Sequence, residues 1–196
     1  MTGLLLIRHG ESTWNAEQRW QGQQDPPLSE TGRAQARLAS ERIGAVDAIF
    51  ASPLARARET AAILANAIGL EPVIELPGLM ERDAGAFGGL TRPEIEERFP
   101  GYLDEGRRPD DYEADESVAA RAAVTIDAIR ATVPDGDVLV VTHGGLIAQF
   151  TASLGDPQTR LANLGAVRLA ERAGRLVVVE RLSLAEVDEP APSDRI

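Results

Sequence analysis

The sequence predicts an α/β protein of three layers, α/β/α, built on a mostly parallel open sheet with an antiparallel strand at its edge. Three observations lead there. Short apolar runs alternate with longer stretches of helical period along most of the chain. Two strand-like runs near the C-terminus, 165–170 and 176–181, break that alternation and read as an edge hairpin or ladder. Two other apolar runs end in a histidine followed at once by glycine, a turn suited to a strand passing into a ligand-facing loop.

In chain order, residues 3–8 form a buried strand that stops at Arg8-His9-Gly10. The polar stretch 14–27, with Trp14 and Trp20, reads as a loop. Ser29 precedes a helical pattern that runs to about residue 43, with Ala34, Leu38 and Ile43 among its apolar positions. Residues 46–51 are a second strand. Ser52-Pro53 then supplies a cap and a first-turn proline for a helix to about residue 68, closed by Gly69. Residues 72–76 make a short third strand. The interval 77–115 is rich in glycine, proline and charge, holds one short helix near 92–99, and reads as a cap or lid segment. A helix over 117–131, a strand over 137–142 and a helix over 144–154 follow, and the edge strands come last. This organisation makes 1–187 a single domain, with 188–196 an acidic tail that frays.

Composition narrows the function classes. A net charge of −11 repels nucleic acid and acidic membrane surfaces. There is no cysteine, hence no disulfide frame and no thiolate chemistry, and a reducing cytoplasm fits. The apolar run before Arg8 is too short for a secretory signal, and no window approaches the ~20 apolar residues of a membrane helix. All 20 basic residues are arginine, which excludes a Schiff-base lysine and a Walker-type phosphate loop. Arginine can fork onto phosphate, so an acidic protein that binds an anion is expected to cluster arginines in a local pocket.

The chain has only 2 histidines, and both stand in the same kind of place. His9 follows Leu4-Leu5-Leu6-Ile7-Arg8, and His143 follows Val138-Leu139-Val140-Val141-Thr142. Parallel neighbouring strands would bring both imidazoles to one sheet edge. Neither histidine has a His-x-x-x-His spacing, so a metal site is not expected. Arg8 lies beside His9, and Arg56 falls in the first turn of a helix rising from the same edge.

Five ordered motifs carry a family resemblance. They are Arg8-His9-Gly10-Glu11-Ser12-Thr13-Trp14-Asn15; Gln21-Gly22 with Asp25 and Leu28-Ser29-Glu30; Ser52 to Ala61; Leu79-x-Glu81 with Gly85 and Gly89-Leu90-Thr91; and Val140-Val141-Thr142-His143-Gly144-Gly145. Together they resemble the histidine phosphatase superfamily, which includes the cofactor-dependent phosphoglycerate mutases, and so imply the phosphoglycerate mutase-like fold. The resemblance implies that His9 is a nucleophile forming a phosphohistidine. It gives Arg8, Asn15, Arg56, His143 and the turn at Gly144 the phosphoryl oxygens. Glu81 becomes the proton donor, with Gln21, Gly22 and Arg82 beside the substrate. It implies no metal and no cofactor. Where family members often carry Gly-Glu-Ser, this chain has Asp115-Glu116-Ser117, so neither Glu116 nor Ser117 is assigned a role.

Hydrolysis is the expected outcome, with phosphoglycerate mutase the alternative and an inert phosphoryl-binding module or a metallohydrolase more distant. Mutases of this family usually have a longer insert between the glutamate motif and the Glu-Ser helix start. Here the interval is short and acidic, and its Arg107 and Arg108 read as a solvated pair. Aromatic residues concentrate in the two segments flanking the site and serve equally as cap packing or as a pocket mouth. The expected partner is a small phosphorylated metabolite in the cytoplasm. Neither nucleic acid nor membrane is expected, and the sequence leaves the assembly open, a homodimer included.

Overall fold

A computed structural model of the protein describes residues 2–157 and 161–185. Its sheet has six strands in the order β3-β2-β4-β1-β5-β6. These are β1 (Thr2–Arg8), β2 (Ala48–Ala51), β3 (Val73–Glu75), β4 (Gly136–Thr142), β5 (Gly165–Arg172) and β6 (Arg175–Ser183). The first four run parallel to one another, and β5 pairs antiparallel with both β1 and β6. The expected hairpin therefore forms the edge beyond β1.

Strand alternation supplies a separate core for each face. Leu4, Leu6, Val138 and Val140 pack with the apolar stripes of α5 (Asp115–Thr132) and α6 (Gly144–Ser153). Leu5, Ile7, Leu139 and Val141 pack with α2 (Glu30–Ser40) and α3 (Ala55–Ile68) on the opposite face. Side chains buried on both faces explain why β1 and β4 read as continuous apolar runs.

A third cluster lies apart from these two. Phe87, Leu90 and Ile95, with α4 (Arg92–Arg98), gather Trp20, Phe99, Tyr102 and Tyr112 around them. It gives the segment between β3 and α5 an apolar centre of its own. No described helix is long and apolar enough to cross a membrane. The expected tail, 188–196, lies outside the described residues.

Some local expectations need correction. The stretch read as loop contains a helical turn, α1 (Thr13–Ala16), closed by a capping box between Ser12 and Asn15. Ser52 does not cap α3; Leu54 occupies that position without a side-chain cap. Ser52 is instead fully buried, because its hydroxyl turns toward His143. Leu38 is 42% exposed, since α2 presents Ala36 and Ala39 to the sheet and Leu38 to its flank.

The core predicts a contrast in stability. Leu6 is 0% exposed in the centre of β1, so Leu6→Ala should cost about 2–5 kcal/mol. Val124 is 72% exposed on α5, so Val124→Ala should stay within about 0.5 kcal/mol of the wild type. Urea unfolding of the two variants checks this.

Candidate active site

β1 and β4 are paired in register, Arg8 opposite Thr142, so the next residues, His9 and His143, emerge side by side. The His9 amide donates to Thr142 O at 3.0 Å, extending the ladder one step past the strands. The two rings meet edge to face, with centroids 5.1 Å apart.

The hydrogen bonds of His9 determine its tautomer. Its Nδ1 lies 2.6 Å from Gly10 O, which can only accept, so Nδ1 carries the proton. Its Nε2 receives Arg56 Nε–H at 3.2 Å, and a guanidinium can only donate, so Nε2 holds a lone pair. Burial and the cations Arg56 and Arg8 hold the His9 imidazole well below its ordinary value, although the Gly10 bond acts the other way. His9 is thus neutral, with its free nitrogen toward two guanidinium groups. His143 is 0% exposed. Its Nε2 meets Ser52 Oγ at 2.8 Å, and burial, Arg56 and His9 keep it neutral in the same way.

Arg56 is the most deeply buried cation here, at 1% exposure. Besides His9 it donates to Gln24 O and Gly22 O, each at 2.8 Å. Burial lowers it to about 10, offset in part by Glu81 and Asp25, so it remains charged at neutral pH. The carbonyl at Gly22 reaches it through a left-handed turn, φ 51°, where a Cβ would come within 2.6 Å of Ala84 N. Arg8 donates from Nη1 to Leu161 O at 2.7 Å and faces the same cavity.

Glu81 arrives from the segment after β3 and is 8% exposed. One carboxylate oxygen accepts the amides of Arg82, at 2.8 Å, and Leu146, at 3.0 Å; the other accepts Gly145 N at 3.0 Å. Gly145 and Leu146 lie in the first turn of α6, a helix end that favours negative charge. A Cβ on Gly145 would sit 2.5 Å from Glu81 Oε1, so any larger residue would push the carboxylate off this seat.

One cavity brings Arg8, His9, Asn15, Gln21, Gly22, Arg56, Glu81 and Arg82 together, and Arg19, Trp20, Ala84 and Tyr112 complete its wall. His143 and Gly144 stand behind that wall: His143 backs His9, and Gly144 packs against the Arg8 side chain. Gln21 Oε1 accepts the Ser12 hydroxyl at 2.8 Å. Among the described residues, no cluster of three or more His, Cys, Asp or Glu side chains could hold a metal ion.

Sequence reasoning missed several contributors. Asn163 donates to His9 O at 3.0 Å and to Asn15 Oδ1 at 3.3 Å, clamping the two segments. Thr60 Oγ1 accepts the Gly10 amide at 3.1 Å. Arg121 on α5 donates to Gly78 O, Met80 O and Glu81 O and pairs with Glu113, holding the Glu81 loop from beneath. None carries a local signal, because each works through the backbone of a distant segment. Arg108, read as solvated, lies over the Trp20 and Tyr112 rings, 5.6 and 5.5 Å from their centroids. Of the aromatic residues, Trp20 and Tyr112 line the cavity, while Phe87 and Phe99 pack the cap cluster.

Known proteins resemble this chain over most of its length. The family model of the histidine phosphatase superfamily, branch 1, matches residues 4–180. The uncharacterized phosphatase PhoE of Bacillus subtilis is 34% identical over 185 residues, covering 90% of this chain and 93% of that protein. A metal-independent phosphoserine phosphatase of Arabidopsis thaliana is 35% identical over 157 residues, covering 75% of this chain and 66% of its own length. The solved structure of a mycobacterial glucosyl-3-phosphoglycerate phosphatase with VO3 superposes with a TM-score of 0.82 at 31% identity, covering 94% of this chain and 99% of that one.

The two neutral histidines make stability depend on pH. Both are neutral when folded and protonate near ~6.5 when unfolded, so below that pH the unfolded chain binds two more protons. Stability should therefore fall between pH 7.5 and 5.5, approaching about 1.4 kcal/mol per pH unit for each histidine. Urea unfolding across that window measures the slope, and His143→Asn should roughly halve it. A flat profile would contradict the assignment.

Proposed function

The chain belongs to the histidine phosphatase superfamily, and from that premise we propose that it hydrolyses phosphomonoesters through a phosphohistidine on His9. The observation that carries this reading is the fixed tautomer of His9. The Gly10 carbonyl holds the proton on Nδ1, so Nε2 presents its lone pair where Arg8 and Arg56 converge. A nucleophile that must be neutral is kept neutral first by burial and then by the same cations that bind its target.

In the first step Nε2 attacks phosphorus in line, the P–N bond forms and the P–O bond to the leaving group breaks. Charge in the loose transition state spreads over the equatorial oxygens. Arg8, Arg56 and Asn15, which line the cavity, are the donors we assign to them, without a metal ion, and His143 and the Gly144 turn, now just behind that wall, join them as the phosphoryl group seats against His9. Arg56 needs only to re-aim an N–H it now gives to His9. Glu81 passes a proton to the departing alkoxide. Its two oxygens now accept three backbone amides, which hold the carboxyl group in place. In the second step Glu81 takes a proton from water, the water oxygen attacks phosphorus, and phosphate leaves with His9 Nε2 restored. Gln21, Gly22 and Arg82 border the leaving-group side.

A small phosphorylated metabolite in the cytoplasm is the substrate this reading implies. Relatives named as phosphoserine phosphatase and glucosyl-3-phosphoglycerate phosphatase support a small phosphomonoester as the class of substrate.

His9→Ala should lower phosphate release from 4-nitrophenyl phosphate by at least about a thousandfold, in buffer with EDTA that leaves the wild type active. Substantial residual turnover would remove His9 as nucleophile. Glu81→Gln should lower kcat/KM, which reports transfer to His9, by about 10²–10⁴-fold for an alkyl phosphate, yet by less than about tenfold for 4-nitrophenyl phosphate, whose leaving group needs no proton. Equal losses on the two substrates would refute the acid role.

A further inference from the structure

We propose that Asp115 sets the charge preference at the leaving-group end of the cavity, by neutralising Arg82 so that the site favours phosphomonoesters with an uncharged, apolar leaving group. The proposal rests on the hydrolase reading and deepens it.

Four arginines line the cavity, more than one phosphoryl group requires. Arg8 and Arg56 stand at His9. The other two are already matched by carboxylates. Arg19 pairs with Glu17 at 3.0 Å and with Glu94 at 2.8 Å, and also donates to Gly89 O. Arg82, 5% exposed, pairs with Asp115 and donates to Glu113 O at 3.0 Å. The Arg82 guanidinium carbon also lies over the Tyr112 ring, 5.1 Å from its centroid.

Beside the uncharged Gln21 and Gly22, the remaining surface at this end is mostly carbon: Trp20, Ala84 and the Tyr112 ring. Arg108 is spent on the two aromatic rings and on Arg107 O, and it does not line the cavity. A leaving group bearing a carboxylate or a second phosphate would therefore meet guanidinium groups whose charge is cancelled. It would find no uncancelled cation at this end to hold it, within a protein of net charge −11. A neutral ring or alkyl group would meet Trp20 and Tyr112 with nothing to repel it.

Asp115 is the first residue of α5, and a carboxylate there also suits the helix N-terminus. That role predicts a change in stability alone. Only the ion pair with Arg82 predicts a change in substrate preference.

The test compares phenyl phosphate with 4-carboxyphenyl phosphate, a pair differing by one carboxylate. Asp115→Asn should raise the ratio of kcat/KM, carboxylated over plain, by about fivefold, a modest value because the Asp115 side chain is 63% exposed. Asp115→Ser serves the same purpose should Asn disturb α5. In an Arg82→Gln background the same substitution should leave the ratio unmoved. The affinities of phenylphosphonate and 4-carboxyphenylphosphonate, measured by calorimetry, should shift in parallel without any turnover. A phosphonate shift without hydrolysis supports the role of Asp115 and counts against the hydrolase reading. Hydrolysis with a ratio inside twofold, or a shift that persists without Arg82, overturns the role of Asp115.

Discussion

The parallel register of β1 and β4 is the constraint on which this site depends. Arg8 faces Thr142 across the ladder, so the two residues that follow can only be neighbours. One edge of sheet thereby acquires two imidazoles and a guanidinium with no loop needed to deliver them. A slip of one residue would turn His9 to the other face of the sheet, away from Arg56 on α3 and toward α5 and α6. The alternating packing of Leu4, Leu5, Leu6 and Ile7 into two separate cores resists that slip along the whole strand.

Next in importance is how an acidic chain maintains cations beneath its surface. Arg56 is buried at a cost that shows in its lowered affinity for a proton, to about 10. The cost is limited because its N–H groups meet the carbonyls of Gln24 and Gly22, neutral acceptors that solvate the guanidinium without cancelling its charge. Arg82 and Arg19 are treated differently, each with a carboxylate partner. The distinction separates a deep end that stays positive from a mouth that does not. Carbonyls around Arg56 preserve its field for a ligand; a carboxylate there would have consumed it.

Much of this was readable in the chain, for identifiable reasons. The strand-end histidines announced themselves because a buried parallel strand is a plain apolar run and each run stopped at His-Gly. Arg56 was legible because the helix following β2 must start at the same edge. Ser52 was misread because Ser-Pro is a common helix opening, and nothing local reveals that its hydroxyl serves His143. Leu38 was misplaced because periodicity gives the spacing of a stripe but not which of two adjacent stripes meets the sheet. Asn163 and Arg121 left no trace, since their partners are carbonyls far along the chain. Arg82 and Asp115 were each visible as charges, but their pairing depends on how the cap returns to α5.

That return also explains how residues from different parts of the chain share one frame. Arg121 stands on the α5 face whose neighbours Val118 and Ala122 pack against β1 and β4. From there it donates to Gly78 O, Met80 O and Glu81 O, and its partner Glu113 accepts the Asp83 amide at 3.1 Å. Both flanks of the Glu81 turn are thus tied to the same core that positions His9. The Glu81 carboxylate is secured from the other side by the first turn of α6, which itself grows out of His143. A proton donor on a free cap would sample many distances from the leaving oxygen, at a severe cost in rate. Here the cap contributes Glu81 while the core beneath β1 and β4 sets its place, so the loops around the mouth can vary without moving the reacting groups.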